Sequence, residues 1–143
     1  MSKGNTFEND WMKLIFTAAA IANIADNAAS SPLTNLYVSL HTADPGEAGD
    51  QTTSEANYTS YARVAVGRSG SGFTVSNNQA INAAAVTFPQ CTGGSSTVTY
   101  FAVGTASSGA GKILYSGQLT AQLAISNGIT PSFAIGALVV TED

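Results

Sequence analysis

The residues best suited to chemistry in this sequence are four carboxylates that follow one another in a single segment. Asp44, Glu47, Asp50 and Glu55 lie within residues 43–57, between two strand-like patterns, and no basic residue lies among them. Carboxylate oxygens at this density are suitable calcium ligands, but the segment lacks the acidic spacing and glycine of an EF-hand loop. The segment is therefore a metal site, an active-site lid, or a contact that a partner protein recognises.

Few other residues in the chain could support catalysis. His41 is the only histidine, and we expect it on the solvated or edge face of a strand. Cys91 is the only cysteine, and we expect a small, half-buried thiol. One of each cannot fill a structural zinc site, and neither a G-x-S-x-G motif nor a P-loop is present. We therefore predict no enzymatic activity, no cofactor and no metal, and favour a contact role for the acidic segment.

The charge distribution argues against nucleic acid as a partner. The net charge is −4, and the five basic residues are scattered along the chain, so they form no stripe that could neutralise several phosphates. The apolar stretch of residues 14–25 is too short to span a bilayer. Only 10% of the residues are charged, against about 25% in an average soluble protein. We expect a soluble, intracellularly made protein whose weakly charged surface suits an assembly.

The N-terminal pattern predicts one helix over residues 5–25. Asn5 is placed to cap it, with Glu8 three residues later as in a capping box. One apolar stripe follows at helical spacing, and it consists of Phe7, Trp11, Leu14, Ile15, Ala18 and Ala22. We expect Trp11 to pack in the core. The alternative is that Phe7, Trp11 and Ile15 contact a partner or a second copy of the chain.

After Pro32 the pattern changes to the two-residue period of strands. About eight short strands, separated by Gly- and Ser-rich turns, predict a mainly β, antiparallel sandwich over residues 36–141. A jelly roll of two packed four-stranded sheets is the natural architecture, within a single domain of residues 1–143. The predicted core positions are Leu36, Val38, Leu40, Val64, Val66, Val86, Phe88, Phe101, Val103, Ile135 and Val139.

Two segments of the chain carry a family resemblance. They are "LYVSLHTADPGEAGDQTTSE" followed by "YARVAV", and "TVTYFAVGTASSGAGKILYSGQLT". With the N-terminal helix and the final "ALVVTED", they resemble small virion proteins of tailed phages and prophages, often labelled tail-fibre-like. The arrangement is also similar to the jelly-roll cement protein that decorates the heads of some short-tailed phages.

This resemblance implies a structural role on the virion. We expect a capsid cement or decoration protein that is made in the bacterial cytoplasm and lies on the capsid exterior. Its partners would be the major capsid protein and further copies of itself, as a homodimer or other small homo-oligomer. The candidate contacts are Phe7, Trp11, Ile15, Asp44, Glu47, Asp50 and Glu55. The alternatives are a tail or tail-fibre component and a carbohydrate-binding jelly-roll module that would present exposed tyrosines.

Overall fold

The computed structural model describes residues 5–21 and 32–142. Its elements run in the order α1 (Asn5–Thr17), β1 (Asn35–His41), β2 (Val64–Gly67), β3 (Phe73–Ser76), β4 (Gln79–Asn82), β5 (Val86–Thr87), β6 (Ser95–Gly104), β7 (Ile113–Ser126), β8 (Ser132–Phe133) and β9 (Val139–Thr141). The prediction of a mainly β, antiparallel protein with one N-terminal helix is confirmed. The described strands form sheets ordered β2-β1-β6-β7, β3-β4-β9 and β5-β8. The jelly-roll arrangement stays a prediction.

The chain divides into two compact units, each built from separate pieces of sequence. The first contains residues 1–35, 66–85 and 133–143, and the second contains residues 36–65 and 86–132. The prediction of a single domain over residues 1–143 stays a prediction.

Helix α1 ends at Thr17, eight residues before the predicted end at residue 25. Ala18 adopts a left-handed φ of 57°, and the Ala19 N–H returns to the carbonyl of Lys13 at 3.2 Å. These features stop the helical ladder, as left-handed residues at helix C-termini commonly do. Residues 22–25 of the predicted helix lie outside the described residues.

The buried face of α1 is rotated from the predicted one. Met12 and Phe16 are fully buried and Glu8 is 8% exposed, whereas Phe7 is 42% and Trp11 37% exposed. The expectation that Trp11 packs in the core is therefore wrong. Within the first unit α1 packs on β3 and β4, and the Phe16 ring meets the edge of Phe73 at a centroid distance of 4.8 Å. The helix therefore buries Met12 and Phe16, a choice of face that helical spacing alone does not determine.

Arg68 caps the C-terminal end of α1. Its guanidinium donates to the carbonyls of Leu14 and Ile15 at 2.7 Å each, and to the carbonyl of Leu33 at 2.7 Å. The last four carbonyls of a helix have no partner within it, and the negative end of the helix dipole favours a cation. Arg68 therefore satisfies carbonyls that the helix itself cannot.

Eight predicted core positions are confirmed. They are Leu36, Val38, Leu40, Val66, Val86, Phe88, Phe101 and Val103. Val64 is half-buried, and the predictions for Ile135 and Val139 are wrong, since these residues are 71% and 43% exposed.

The error near the C-terminus comes from a turn that the strand pattern concealed. The Ala137 N–H bonds to the Ala134 carbonyl at 3.0 Å, and Gly136 has a φ of 76°. Ile135 thus lies at the second position of a turn. The turn shifts the following strand by one residue, so Leu138 and Val140 are buried and Val139 points outward. A one-residue slip moves every side chain of a strand to its other face.

Candidate functional site

The acidic segment of the second unit folds back on the strand that precedes it. The Thr42 N–H donates to the Ser54 carbonyl at 2.7 Å, and the Ala56 N–H donates to the Leu40 carbonyl at 2.8 Å. Gln51 and Ala56 are buried. The segment is therefore an ordered cover on β1, and only part of it is exposed.

Glu55 is held inside this cover by a base that comes after the segment. Arg63 Nε lies 2.6 Å from Glu55 Oε1 and Arg63 Nη2 lies 2.8 Å from Glu55 Oε2. The two side chains, Arg63 and Glu55, are 2% and 17% exposed. The remaining guanidinium N–H groups donate to the carbonyls of Ala106 and Gly109 at 3.0 and 2.8 Å. The hydrogen bonds to Glu55 raise the pKa of Arg63. Arg63 thus links Glu55 to the loop that contains Ala106 and Gly109.

Tyr61 joins this ion pair to the β1 backbone. Its hydroxyl donates to Glu55 Oε1 at 3.0 Å and accepts from the Leu40 N–H at 3.0 Å. Burial is the main cause that raises the pKa of Tyr61. Its ring meets the edge of Tyr58 at 5.3 Å and stacks on Phe88 at 6.3 Å. Tyr58 and Tyr61 are therefore packing residues.

His41 is fully buried, so the expectation of a solvated or edge-facing histidine is wrong. Residues 38–41 are all buried, because the folded acidic segment covers the second face of β1. His41 Nδ1 lies 2.8 Å from the Thr53 carbonyl, and Nε2 lies 2.9 Å from Ser39 Oγ. A carbonyl only accepts, so Nδ1 carries the proton and the Ser39 hydroxyl donates to Nε2. Burial lowers the pKa of His41.

The Gln51 side chain packs against Gly104 and Gly111 so closely that neither position has room for a Cβ atom. Its side-chain amide donates to the Tyr37 carbonyl at 3.3 Å and accepts from the Ala106 N–H at 3.0 Å. A Cβ built on Gly104 would lie 2.2 Å from Gln51 Cδ, and one on Gly111 would lie 2.1 Å from Oε1. Sequence reasoning missed Gln51, since nothing in "GDQT" distinguishes a buried glutamine from a loop residue.

Residues 43–48 of the acidic segment, which include Asp44 and Glu47, are exposed except for the buried Pro45. Asp44 Oδ1 accepts a hydrogen bond from the Gly46 N–H at 2.9 Å, which stabilises a turn at Pro45-Gly46. Asp50 is half-buried, and its Oδ1 accepts from the N–H and hydroxyl of Thr52 at 2.8 and 2.5 Å. These bonds, the hydroxyl bond first, lower the pKa of Asp50.

A groove of about 380 Å³ runs between this turn and the start of β7. One side consists of Asp44, Gly46, Glu47 and Gly49, and the other consists of residues 113–116. Asp50 and Glu55 do not border it. Among residues 5–21 and 32–142, no group of three or more His, Cys, Asp or Glu side chains could hold a metal ion. The groove is thus an acidic surface feature without a chelating cluster.

The remaining candidate residues lie elsewhere. Phe7, Trp11 and Ile15 belong to α1 in the first unit. Cys91 is fully buried rather than half-buried, and its thiol donates to the Gly93 carbonyl at 3.2 Å. All five tyrosines are buried or half-buried. Within the described residues, no helix has the length and apolarity that a membrane span requires.

The family model described as podophage GP4 fiber I protein gp80 matches residues 5–141. The chain belongs to this family, and it is a bacteriophage virion structural protein. A search among curated proteins finds no match.

Proposed function

We propose that this protein is a non-enzymatic component of a podophage fibre and that it binds neighbouring virion proteins through the groove beside Asp44 and Glu47. The observation that carries the proposal is how the reactive side chains are used. His41, Glu55, Tyr61 and Arg63 each bond to groups within the protein, so they hold a loop in place. Among the acidic-segment candidates, only Asp44 and Glu47 are exposed and border the groove.

The family description supports a fibre location. The capsid cement role, with the major capsid protein as partner and the capsid exterior as location, is the competing assignment for the same groove. A carbohydrate-binding module is less well supported, because it would need an aromatic platform and the tyrosines are buried or half-buried. Self-association as a small homo-oligomer is part of the proposal, and the exposure of Phe7 and Trp11 on α1 supports it.

Immunogold labelling of intact virions tests the location. Antibodies raised against the purified protein should label the tail end of the particle. Particles that lack the protein are the control for antibody specificity. Gold distributed over the head surface would contradict the fibre assignment and favour the cement role, and gold on neither structure would contradict both.

A further inference from the structure

Strand β7 forms one border of its sheet. The sheet order is β2-β1-β6-β7, and among the described residues no strand pairs with β7 on the side away from β6. The outer backbone N–H and C=O groups of an edge strand are open to pairing with another chain. Natural proteins usually protect such an edge with charges, prolines, bulges or a cover.

The edge of β7 is protected by bulges but not by charge. The strand contains no charged residue and no proline over Ile113–Ser126. Four residues, 119–122, stand opposite the single residue Thr99, because Val98 pairs with Leu123 and Tyr100 with Gln118. The register also shifts where Val103 pairs with Tyr115 and Gly104 with Ile113. Regular runs therefore remain over residues 115–118 and 123–126. The first run begins at the groove and is long enough for a short partner strand.

The groove follows this edge. Four consecutive residues, 113–116, form one of its sides. Successive side chains of a strand point to opposite faces, so a groove bordered by consecutive residues follows the backbone rather than one face. An extended segment in the groove would lie alongside the outer backbone groups of β7.

The opposite side of the groove sets the charge that an occupant needs. Among the described residues, the ion pair is that of Arg63 with Glu55, and neither Asp44 nor Glu47 takes part in one. Lys112, the base next to the groove in sequence, is exposed. The hydrogen bond from the Gly46 N–H to Asp44 Oδ1 fixes the turn that carries Asp44 and Glu47. The backbone bonds between the acidic segment and β1 hold the segment in place. Two carboxylates in a preorganised turn beside an open strand edge complement a basic, extended chain.

We propose that the edge of β7 accepts a short extended and basic segment of a neighbouring virion protein. The segment adds as a strand by main-chain hydrogen bonds, and its Lys or Arg side chains meet Asp44 and Glu47. In strand addition, main-chain bonds supply affinity and side-chain contacts supply specificity. This inference rests on the proposed structural function and adds the binding mode and the chemistry of the partner.

Peptide binding to the purified full chain tests the proposal. The probe is the fluorescein-labelled peptide acetyl-TKVKVKT-amide, measured by fluorescence anisotropy at low salt. The acidic peptide acetyl-TEVEVET-amide controls for charge, and a TKVKVKT peptide N-methylated at alternate residues lacks the N–H donors needed for pairing. We expect binding of the basic peptide and none of either control.

Variants of the protein locate the site. Ser116→Lys places a cation in the groove, and Thr120→Lys places the same side chain at an exposed position of the 119–122 bulge. We expect Ser116→Lys to weaken peptide binding about tenfold or more, and Thr120→Lys to leave it unchanged. The double change Asp44→Asn and Glu47→Gln should weaken it about three- to tenfold and reduce its salt dependence.

Three results would overturn the inference. The first is that the basic peptide does not bind at millimolar concentration. The second is that the N-methylated peptide binds as tightly as the unmodified one. The third is that Ser116→Lys and Thr120→Lys weaken peptide binding equally. Analytical ultracentrifugation of the protein without peptide tests whether a second copy of the chain, rather than another virion protein, occupies the edge of β7. Self-association abolished by Ser116→Lys but not by Thr120→Lys would assign the edge to that copy, against our proposal. None of these results alters the immunogold labelling, so the fibre location is tested separately.

Discussion

At the scale of single residues, the pair of Arg63 and Glu55 is the feature on which the acidic segment depends. Both carboxylate oxygens of Glu55 and four donor contacts of Arg63 are used. Removing one partner of a buried pair leaves the other charge without compensation, which costs more than the intact pair contributes.

We expect Arg63→Ala to lower the free energy of unfolding by about 3 kcal/mol, the lower end of the range for buried pairs, since Glu55 keeps some exposure. Lys112→Ala removes an exposed cation and should change stability by less than about 0.5 kcal/mol. Urea denaturation followed by fluorescence measures both. Equal stabilities of the two variants would show that the pair does not hold the segment.

His41 predicts a dependence of stability on pH. Burial lowers its pKa; the hydrogen bond to the Thr53 carbonyl and the charge of Glu55 oppose this effect, and the charge of Arg63 adds to it. The unfolded chain therefore binds a proton more readily than the folded protein, and the contribution to stability is fully present above a pH of about 6.5. It declines as the pH falls below that value toward the lowered folded pKa.

The urea midpoint should therefore fall between a pH of about 7.5 and about 5.5, above the range in which ordinary carboxylates titrate. His41 is the only histidine, so His41→Gln should remove most of this slope while lowering the midpoint at every pH. A slope that persists in the variant would assign the pH dependence to another group.

At the scale of elements, glycines next to Gln51 decide how closely β6 and the loop before β7 approach the cover. The Cβ of an alanine at Gly104 would overlap the Gln51 amide, and overpacking of this kind costs about 1–3 kcal/mol. Gly104→Ala should destabilise the protein by that amount. Gly70→Ala is the matched control, because a Cβ there has no neighbour within 4 Å and Gly70 has no positive φ.

A double variant tests whether the loss of stability in Gly104→Ala comes from overlap with Gln51 or from a general effect of alanine on the strand. Gln51→Ala in the Gly104→Ala background removes the colliding amide, so the double variant should lose less stability than the sum of the two single variants. Additive losses in denaturant unfolding would mean that the two residues do not interact.

A further prediction concerns Arg68 and the stability of α1. Its three hydrogen bonds to carbonyls are charge-assisted, and hydrogen bonds to charged groups contribute about 1.5–3 kcal/mol each at most. Because Arg68 is partly exposed, we expect Arg68→Ala to cost about 2 kcal/mol. Amide hydrogen exchange should rise first in the last turn of α1. Unchanged exchange there would contradict a capping role.

These elements also show what the sequence predicted and what it did not. Alternation correctly predicted the buried positions Leu36, Val38 and Leu40 of β1, and Phe101 and Val103 of β6. It failed at Ile135, where a turn interrupts an apolar run, and at His41, where a distant segment buries the second face of β1. The acidic residues were found by type, but the role of Glu55 depends on Arg63, a pairing that only the folded chain brings about.

At the scale of the whole molecule, family membership identifies a phage virion structural protein, and its fold is mainly β with one N-terminal helix. The fibre location and the acidic groove as its contact are our proposals. A fibre component is present in few copies, since fibres occupy one end of the particle, whereas a cement protein follows the capsid lattice and its many symmetry-related sites.

The number of copies per particle tests the fibre assignment most directly. Purified virions would be digested and quantified by mass spectrometry with isotope-labelled peptides of this chain and of the major capsid protein as internal standard. We predict a few to a few dozen copies per particle, on the order of a small multiple of the tail symmetry. Hundreds of copies, on the order of the number of capsid lattice sites, would contradict the fibre assignment and identify a protein of the head.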